Sequence, residues 1–194
     1  FIWAGFQLGI TYPRWEQSWH CMLQKTNKPI VTKLRIIQLF EGDFNAALKY
    51  LLGKKLMKYM HENDIHDSET FGSRIGKTAP EAVQNIRLLC DHSRIWKKTT
   101  AIFFNDAEGC YDRIPPNLCS LTMQSKGCPE SIARCHTLVQ KSMRHSIRIA
   151  TGISKGIIQF ATTQKTVVED GIITLMEGPT GGIGQGGGGG PIAW

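Results

Sequence analysis

The chain has 194 residues, 41% of them hydrophobic and 20% charged, enough length and apolar content for one domain or one and a half around a buried core. That composition excludes a wholly disordered, collagen-like or disulfide-dense chain. The net charge of +7 is unevenly placed: residues 1–100 carry 15 basic and 9 acidic side chains, whereas residues 101–194 carry 8 and 7. A positive N-terminal half suits a polyanion lying along part of the surface, although a basic solvated face gives the same balance.

The opening Phe1–Pro13 is apolar but has neither a basic stretch ahead of it nor a small-residue cleavage site, and no run reaches the roughly 18 apolar residues of a membrane span. A soluble, intracellular protein is expected, nucleus and cytoplasm not being distinguished, and the missing initiator Met reads as a piece of something longer. Residues 1–34 show no sustained period and predict extended or irregular structure. Over residues 42–60, Phe44, Ala47, Leu48, Leu51, Leu52, Met57 and Met60 recur at spacings near three and four, with Lys49, Lys54, Lys55 and Lys58 between them. This predicts an amphipathic helix with a basic outer face.

Pro80 can open a second helix, with Val83, Ile86, Leu89 and Cys90 as its buried stripe. Ala101–Phe104 is a short continuous apolar run and predicts a buried strand. Pro115-Pro116 and Pro129-Glu130 open two further helices, the second carrying Ile132, Leu138, Val139 and Met143. Ser146–Thr151, Gly156–Ala161 and Ile172–Met176 are short, branched and bounded by glycine, as in a strand meander. The expected class is α+β: mixed helices with a small antiparallel sheet.

Six cysteines contain no CxxC pair, and no secretory signal accompanies them, so reduced core thiols are expected rather than a disulfide framework. Cys128, Cys135 and His136 have no common zinc spacing. Nine of the twenty glycines fall between Gly178 and Gly190. A flexible linker would have that composition, yet Gln185 and the ending Pro191–Trp194 are not what a spacer requires.

Three segments can carry chemistry. Asp106 follows the apolar run 102–104, where a carboxylate at a strand end can hold a divalent ion against a phosphate; a turn-capping Asp has the same setting. Gly182–Gly186, with Gln185, offers backbone amides and a side-chain amide to a nucleotide or template. Lys28 and Arg35, on a short hairpin, can clamp a triphosphate, or be solvated surface charges.

In order, these segments resemble the reverse transcriptase family of the non-LTR retrotransposon and group II intron type. Leu34–Leu39 stands where that family has R-P-I-x-L, Glu69–Arg74 where it has Q-x-G-F-R, Asp106–Asp112 where it has D-x-x-x-A-F-D, and Gln185–Pro191 where it has Q-G-x-x-x-S-P. The resemblance implies a right-hand polymerase, with a basic fingers-like region over residues 1–100 and a partial palm over residues 101–194. It implies two Mg²⁺ ions held by Asp106 and the carbonyl of Ala107, and Tyr111 as the gate against a 2′-hydroxyl. Gln185 and Gly186 would line the nucleotide pocket, Arg35 and Lys28 would meet the triphosphate, and Arg74 and Lys77 the nucleic acid. The implied partners are an RNA template, a DNA primer and dNTPs, with no membrane and nothing that points to a protein partner.

There are departures. Ile36 replaces the family's Pro, Gly190 replaces its Ser, and the hairpin with two adjacent Asp that should follow the Gln-Gly segment is not in the chain. Glu169-Asp170 comes before that segment and reads as a hairpin turn, since Asp-Gly favours one. The chain alone is therefore expected to be inactive. Two other readings stay open: a catalytically inactive basic remnant that binds nucleic acid, and a relative of RNA-dependent RNA polymerases, against which Tyr111 argues.

Overall fold

The computed structural model describes residues 1–25, 34–67, 69–106, 110–155, 157–160, 164–169 and 172–177. The chain divides into two compact units, residues 1–56 with 109–194 and residues 57–108. Within the first unit a strand from the N-terminal segment lies directly beside one that begins at Arg144.

The first unit is built on a sheet. Its strands are β1 (Gln17–Gln24), β2 (Leu34–Phe40), β3 (Arg144–Ile149), β4 (Gly152–Ile153), β5 (Ile157–Phe160), β6 (Gln164–Glu169) and β7 (Ile172–Glu177), in the spatial order β2-β1-β3-β5-β6-β7 with β4 beside β3. Every pairing is antiparallel except β1 with β3, which run parallel with Ser18 opposite His145. The sheet is therefore mixed rather than the small antiparallel one expected. A parallel pair needs a long crossover, and such a partner cannot be read from local sequence. The expected meander strands are present as β3, β5 and β7, with the unannounced β6 paired between β5 and β7 and Glu169 opposite Ile172; the expected Asp170-Gly171 turn lies outside the described residues.

The extended or irregular start expected over residues 1–34 holds an extended strand, β1, and is corrected by the helix α1 (Ile2–Leu8), while the apolar alternation that would have announced β1 is missing. The reason is an inverted pattern. On β1 the buried side carries Ser18, and the open side carries Trp19 and Leu23, so the usual alternation of apolar inside and polar outside is missing. Helix α1 ends at Gly9, whose φ of +63° is cheap only for glycine. Behind it Phe6, Trp15, Phe40 and Phe44 form an aromatic core, with Phe6 stacked on Phe44 at 5.8 Å and Trp15 5.1 Å from Phe44. The Trp15 indole donates to Asp43 Oδ1 at 2.9 Å, which satisfies its one polar atom inside that cluster. Arg14 bridges Glu41 and Asp43, and the Glu41 carboxylate caps the next helix by accepting from the Asp43 and Phe44 amides.

The predicted basic helix forms as α2 (Gly42–Leu48), a π-helical stretch (Lys49–Leu56) and α3 (Met57–Glu62). Phe44, Leu48, Leu52, Leu56 and Met60 are all buried, at a strict spacing of four. A pure α-helix of 3.6 residues per turn would rotate such a stripe off its face, and the wider i→i+5 turns in the middle correct the drift. The lysines between them are exposed, as expected. After the short α5 (Cys110–Arg113), helices α6 (Pro116–Ser125) and α7 (Glu130–Ser142) follow their prolines and pack on each other, and α7 also packs on α1. Cys119, Met123, Ala133, Cys135, Val139 and Met143 fill the space between them.

In the second unit, α4 (Ala79–Ile95) begins as predicted, with Pro80 in its first turn and the Glu81 carboxylate accepting from the Thr78 amide at 2.7 Å. Its stripe, however, is not buried: Val83, Ile86 and Leu89 are exposed, and Ser93 alone on this helix is buried. The predicted strand at Ala101–Phe104 is likewise corrected. These residues are irregular, and Phe103 is 89% exposed. A strand needs a neighbour for its backbone groups, and no described strand lies beside this run. Among the described residues no helix is long and apolar enough to cross a membrane.

Candidate functional site

The sequence-derived candidates fall in different settings. Arg35 is exposed on β2, opposite Leu23 of β1. Asp106 is exposed in the irregular stretch after α4, and Tyr111 is half-buried in α5. Lys28, Ala107, Gln185 and Gly186 lie outside the described residues. The Asp106 setting is a loop rather than the end of a formed strand, so the rigid sheet edge expected beneath it is missing from the described residues.

Arg74 and Lys77 are brought together in one turn, where the Lys77 amide donates to the Arg74 carbonyl at 3.3 Å. The two side chains are engaged locally. Arg74 is largely covered, and its guanidinium donates to the Asp67 carbonyl at 2.9 Å and meets the Asp64 carboxylate at 3.6 Å. The Lys77 ammonium stands 5.1 Å from the centre of the Phe71 ring, a cation–π contact at an exposed site. Arg74 is thus a structural clasp for the turn that precedes α4, while Lys77 keeps an exposed charge.

Among the described residues no three His, Cys, Asp or Glu side chains gather as a metal site would require. Asp106 is exposed, and Ala107, the other ligand that the resemblance implies, lies outside the described residues. Cys128, Cys135 and His136 make no such site either. The Cys119, Cys128 and Cys135 thiols are pushed up by burial to about 12, about 11 and about 12, which keeps them protonated near neutral pH.

One polar cluster escaped sequence reasoning. On the covered face of the sheet the Gln38 side-chain amide donates to Ser18 Oγ at 3.4 Å, and Ser18 Oγ lies 2.8 Å from His145 Nδ1. A hydroxyl gives one proton and its oxygen accepts from two donors, so this contact serves either tautomer of the His145 ring. The His20 ring lies 4.3 Å from that of His145. Burial lowers His145 to about 3, helped by the neighbouring His20, and burial lowers His20 as well. Both rings are neutral near pH 7. Ser18 is only 2% exposed, and the pair joins β1, β2 and β3 inside the sheet's covered face. Ser18 and His145 are 127 residues apart, and nothing local announces their meeting.

No family model matches the chain, and no curated protein matches it.

Proposed function

We propose that this chain is part of a reverse transcriptase of the non-LTR retrotransposon or group II intron type, comprising fingers and the first portion of the palm. Its parent transfers dNMP from a dNTP to a primer 3′-hydroxyl on an RNA or DNA template. The observation that carries this reading is the order of four segments in one chain: Leu34–Leu39, Glu69–Arg74, Asp106–Asp112 and Gln185–Pro191. In that reading Arg35, exposed on β2, offers a bidentate fork to a triphosphate. Tyr111 would occupy the space a 2′-hydroxyl needs, and Gln185 with Gly186 would line the nucleotide pocket beside Lys28. Two Mg²⁺ ions are the cofactor implied for the complete parent, with Asp106 supplying part of their ligand set.

A second reading is a basic module that binds nucleic acid without catalysis, which suits the 15 basic against 9 acidic side chains of residues 1–100. The reading frame beyond Trp194 separates the two. A hairpin with two adjacent Asp within a few dozen codons supports the polymerase. A protein extended through that hairpin should then extend a DNA primer on an RNA template with dNTPs, and Asp106→Asn should abolish this while duplex binding survives. Full activity in Asp106→Asn would overturn the assignment. Ribonucleotide incorporation by the unaltered protein would point instead to an RNA polymerase relative.

A further inference from the structure

The open face of the sheet formed by β2, β1 and β3 has a chemistry of its own. Residues opposite one another share a face, so Trp19 stands between Leu39 of β2 and Ser146 of β3, Leu23 stands opposite Arg35, Cys21 opposite Arg148, and Gln17 opposite Arg144. Trp19, Leu23 and Leu39 are 41%, 52% and 42% exposed. Isolated exposed apolar side chains are ordinary, but here three of them lie together on one face with arginines around them.

The charge on this face has one sign. The three strands hold Arg35, Arg144 and Arg148 and no Asp or Glu. Among the described residues none of the three guanidinium groups is in an ion pair. A surface made for a second protein would be expected to pair some of these charges or to keep them at a rim. Three uncompensated arginines around an exposed indole instead match a strand of phosphates with unpaired bases. Guanidinium groups take phosphate oxygens in pairs, and a Trp face stacks on any base. The small Ser146 beside Trp19 leaves the indole uncrowded on the β3 side, where a base can be laid against it. Arg144 and Arg148 are four residues apart on one strand, roughly 13 Å, so both can reach one nucleic-acid strand that runs along β3.

We propose that the open face of β2, β1 and β3 is a binding platform for single-stranded nucleic acid, with Trp19 as the stacking residue and Arg35, Arg144 and Arg148 as the phosphate contacts. This goes beyond the polymerase reading, because it requires neither Asp106, nor a metal, nor a nucleotide pocket.

The test uses the chain as it is, a fluorescein-labelled single-stranded RNA of about 12 nucleotides within the usual site sizes, and a chelator to remove divalent ions. Fluorescence anisotropy should show binding whose affinity falls steeply with salt. Trp19→Ala should weaken it by roughly 5- to 100-fold, the worth of one stacked base, while Trp19→Phe keeps most of it. Arg148→Ala should lower the salt slope by about 0.7, one phosphate contact on a single strand. Trp96→Ala, at an exposed Trp outside the sheet, is the control and should change neither quantity. Far-UV circular dichroism checks that each variant is folded, and the salt slope of Arg148→Ala keeps the test decisive should Trp19→Ala unfold. Binding that ignores both Trp19 and Arg148 would overturn the proposal. So would self-association abolished by Trp19→Ala in a chain that binds no RNA, which would make this face a protein interface. A chain that binds RNA through Trp19 while its extended form fails to polymerise would retain the platform and lose only the polymerase reading.

Discussion

Helices α7 and α4 differ more in their fate than in their sequences. Each opens with a proline near its N-terminus and carries apolar residues at helical spacing. In α7 that stripe is covered: Ala133, Cys135, His136 and Val139 are buried against α1, α6 and the strands. In α4 the equivalent stripe is open, with Val83 65% and Leu89 50% exposed. Amphipathic spacing thus identifies the face a helix offers, and only the neighbours decide whether water leaves it. In water most helical stability comes from packing that face, so the two helices should be held with very different strength.

The largest expected difference is between a charge placed on each stripe. Val139→Asp should cost about 4 kcal/mol or more and abolish cooperative unfolding near neutral pH, since an unpaired carboxylate would sit in the α7 interface. Leu89→Asp on α4 should stay within about 0.5 kcal/mol, because the side chain already meets solvent. Urea denaturation of the two variants checks this, and a loss above about 2 kcal/mol for Leu89→Asp would mean that this stripe of α4 is covered in solution.

Acid sharpens the same contrast. His136 on α7 is lowered to about 4 by burial, and its Nδ1 has no hydrogen-bond partner; His145 on β3 is lowered to about 3. Both folded values lie below the unfolded 6.5, so the unfolded state binds protons first. Their contribution is fully present above pH 6.5 and is lost progressively as the pH falls from there toward 4 and 3. At pH 5 each should cost about 2 kcal/mol relative to pH 7. Urea midpoints at the two values should show the fall, and His136→Gln should remove roughly half of it. A midpoint independent of pH would contradict the burial of both rings.

A smaller effect belongs to the contact of α1 with its own core. A Cβ on Gly5 would stand 2.8 Å from ring atoms of both Trp15 and Tyr12. Alanine ordinarily strengthens a helix by about 1 kcal/mol over glycine. Gly5→Ala should instead cost about 1–2 kcal/mol, because Trp15 is fully buried and cannot step aside freely. Thermal unfolding would read the sign, and stabilisation would show that the rings repack.

The last contrast perturbs nothing. Cys90 on α4 is exposed, and Cys119, Cys128 and Cys135 are buried. A thiol reagent at pH 8 should modify Cys90 in the native protein and reach the buried three only after unfolding. Mass spectrometry of the labelled peptides would show it, and fast native labelling of Cys135 would contradict the packed α7 interface.

The chain's punctuation was legible. Prolines announced α4, α6 and α7, branched and glycine-bounded runs announced β3, β5 and β7, and the repeat from Phe44 to Met60 announced a helix, though not its π turns. The parallel junction of β1 with β3 was not legible, because its partners are more than a hundred residues apart and β1 hides Ser18 while exposing Trp19. The candidate site was legible only as an order of motifs. Residue identity places Arg35 on a strand and Asp106 after an apolar run, but it does not say whether that run finds a partner, and among the described residues Ala101–Phe104 finds none.

By itself the sequence determined the class, mixed helices and strands with a basic N-terminal half, because propensity, capping and charge are local properties. The tertiary structure alone decided which amphipathic faces are dry, which histidines are held neutral, and which side of the sheet presents Trp19 among three arginines that form no ion pair among the described residues. Those are properties of what lies opposite a residue in space, and burial, hydrogen bonding and exposure take their free energies from that neighbour rather than from the residue's place in the chain.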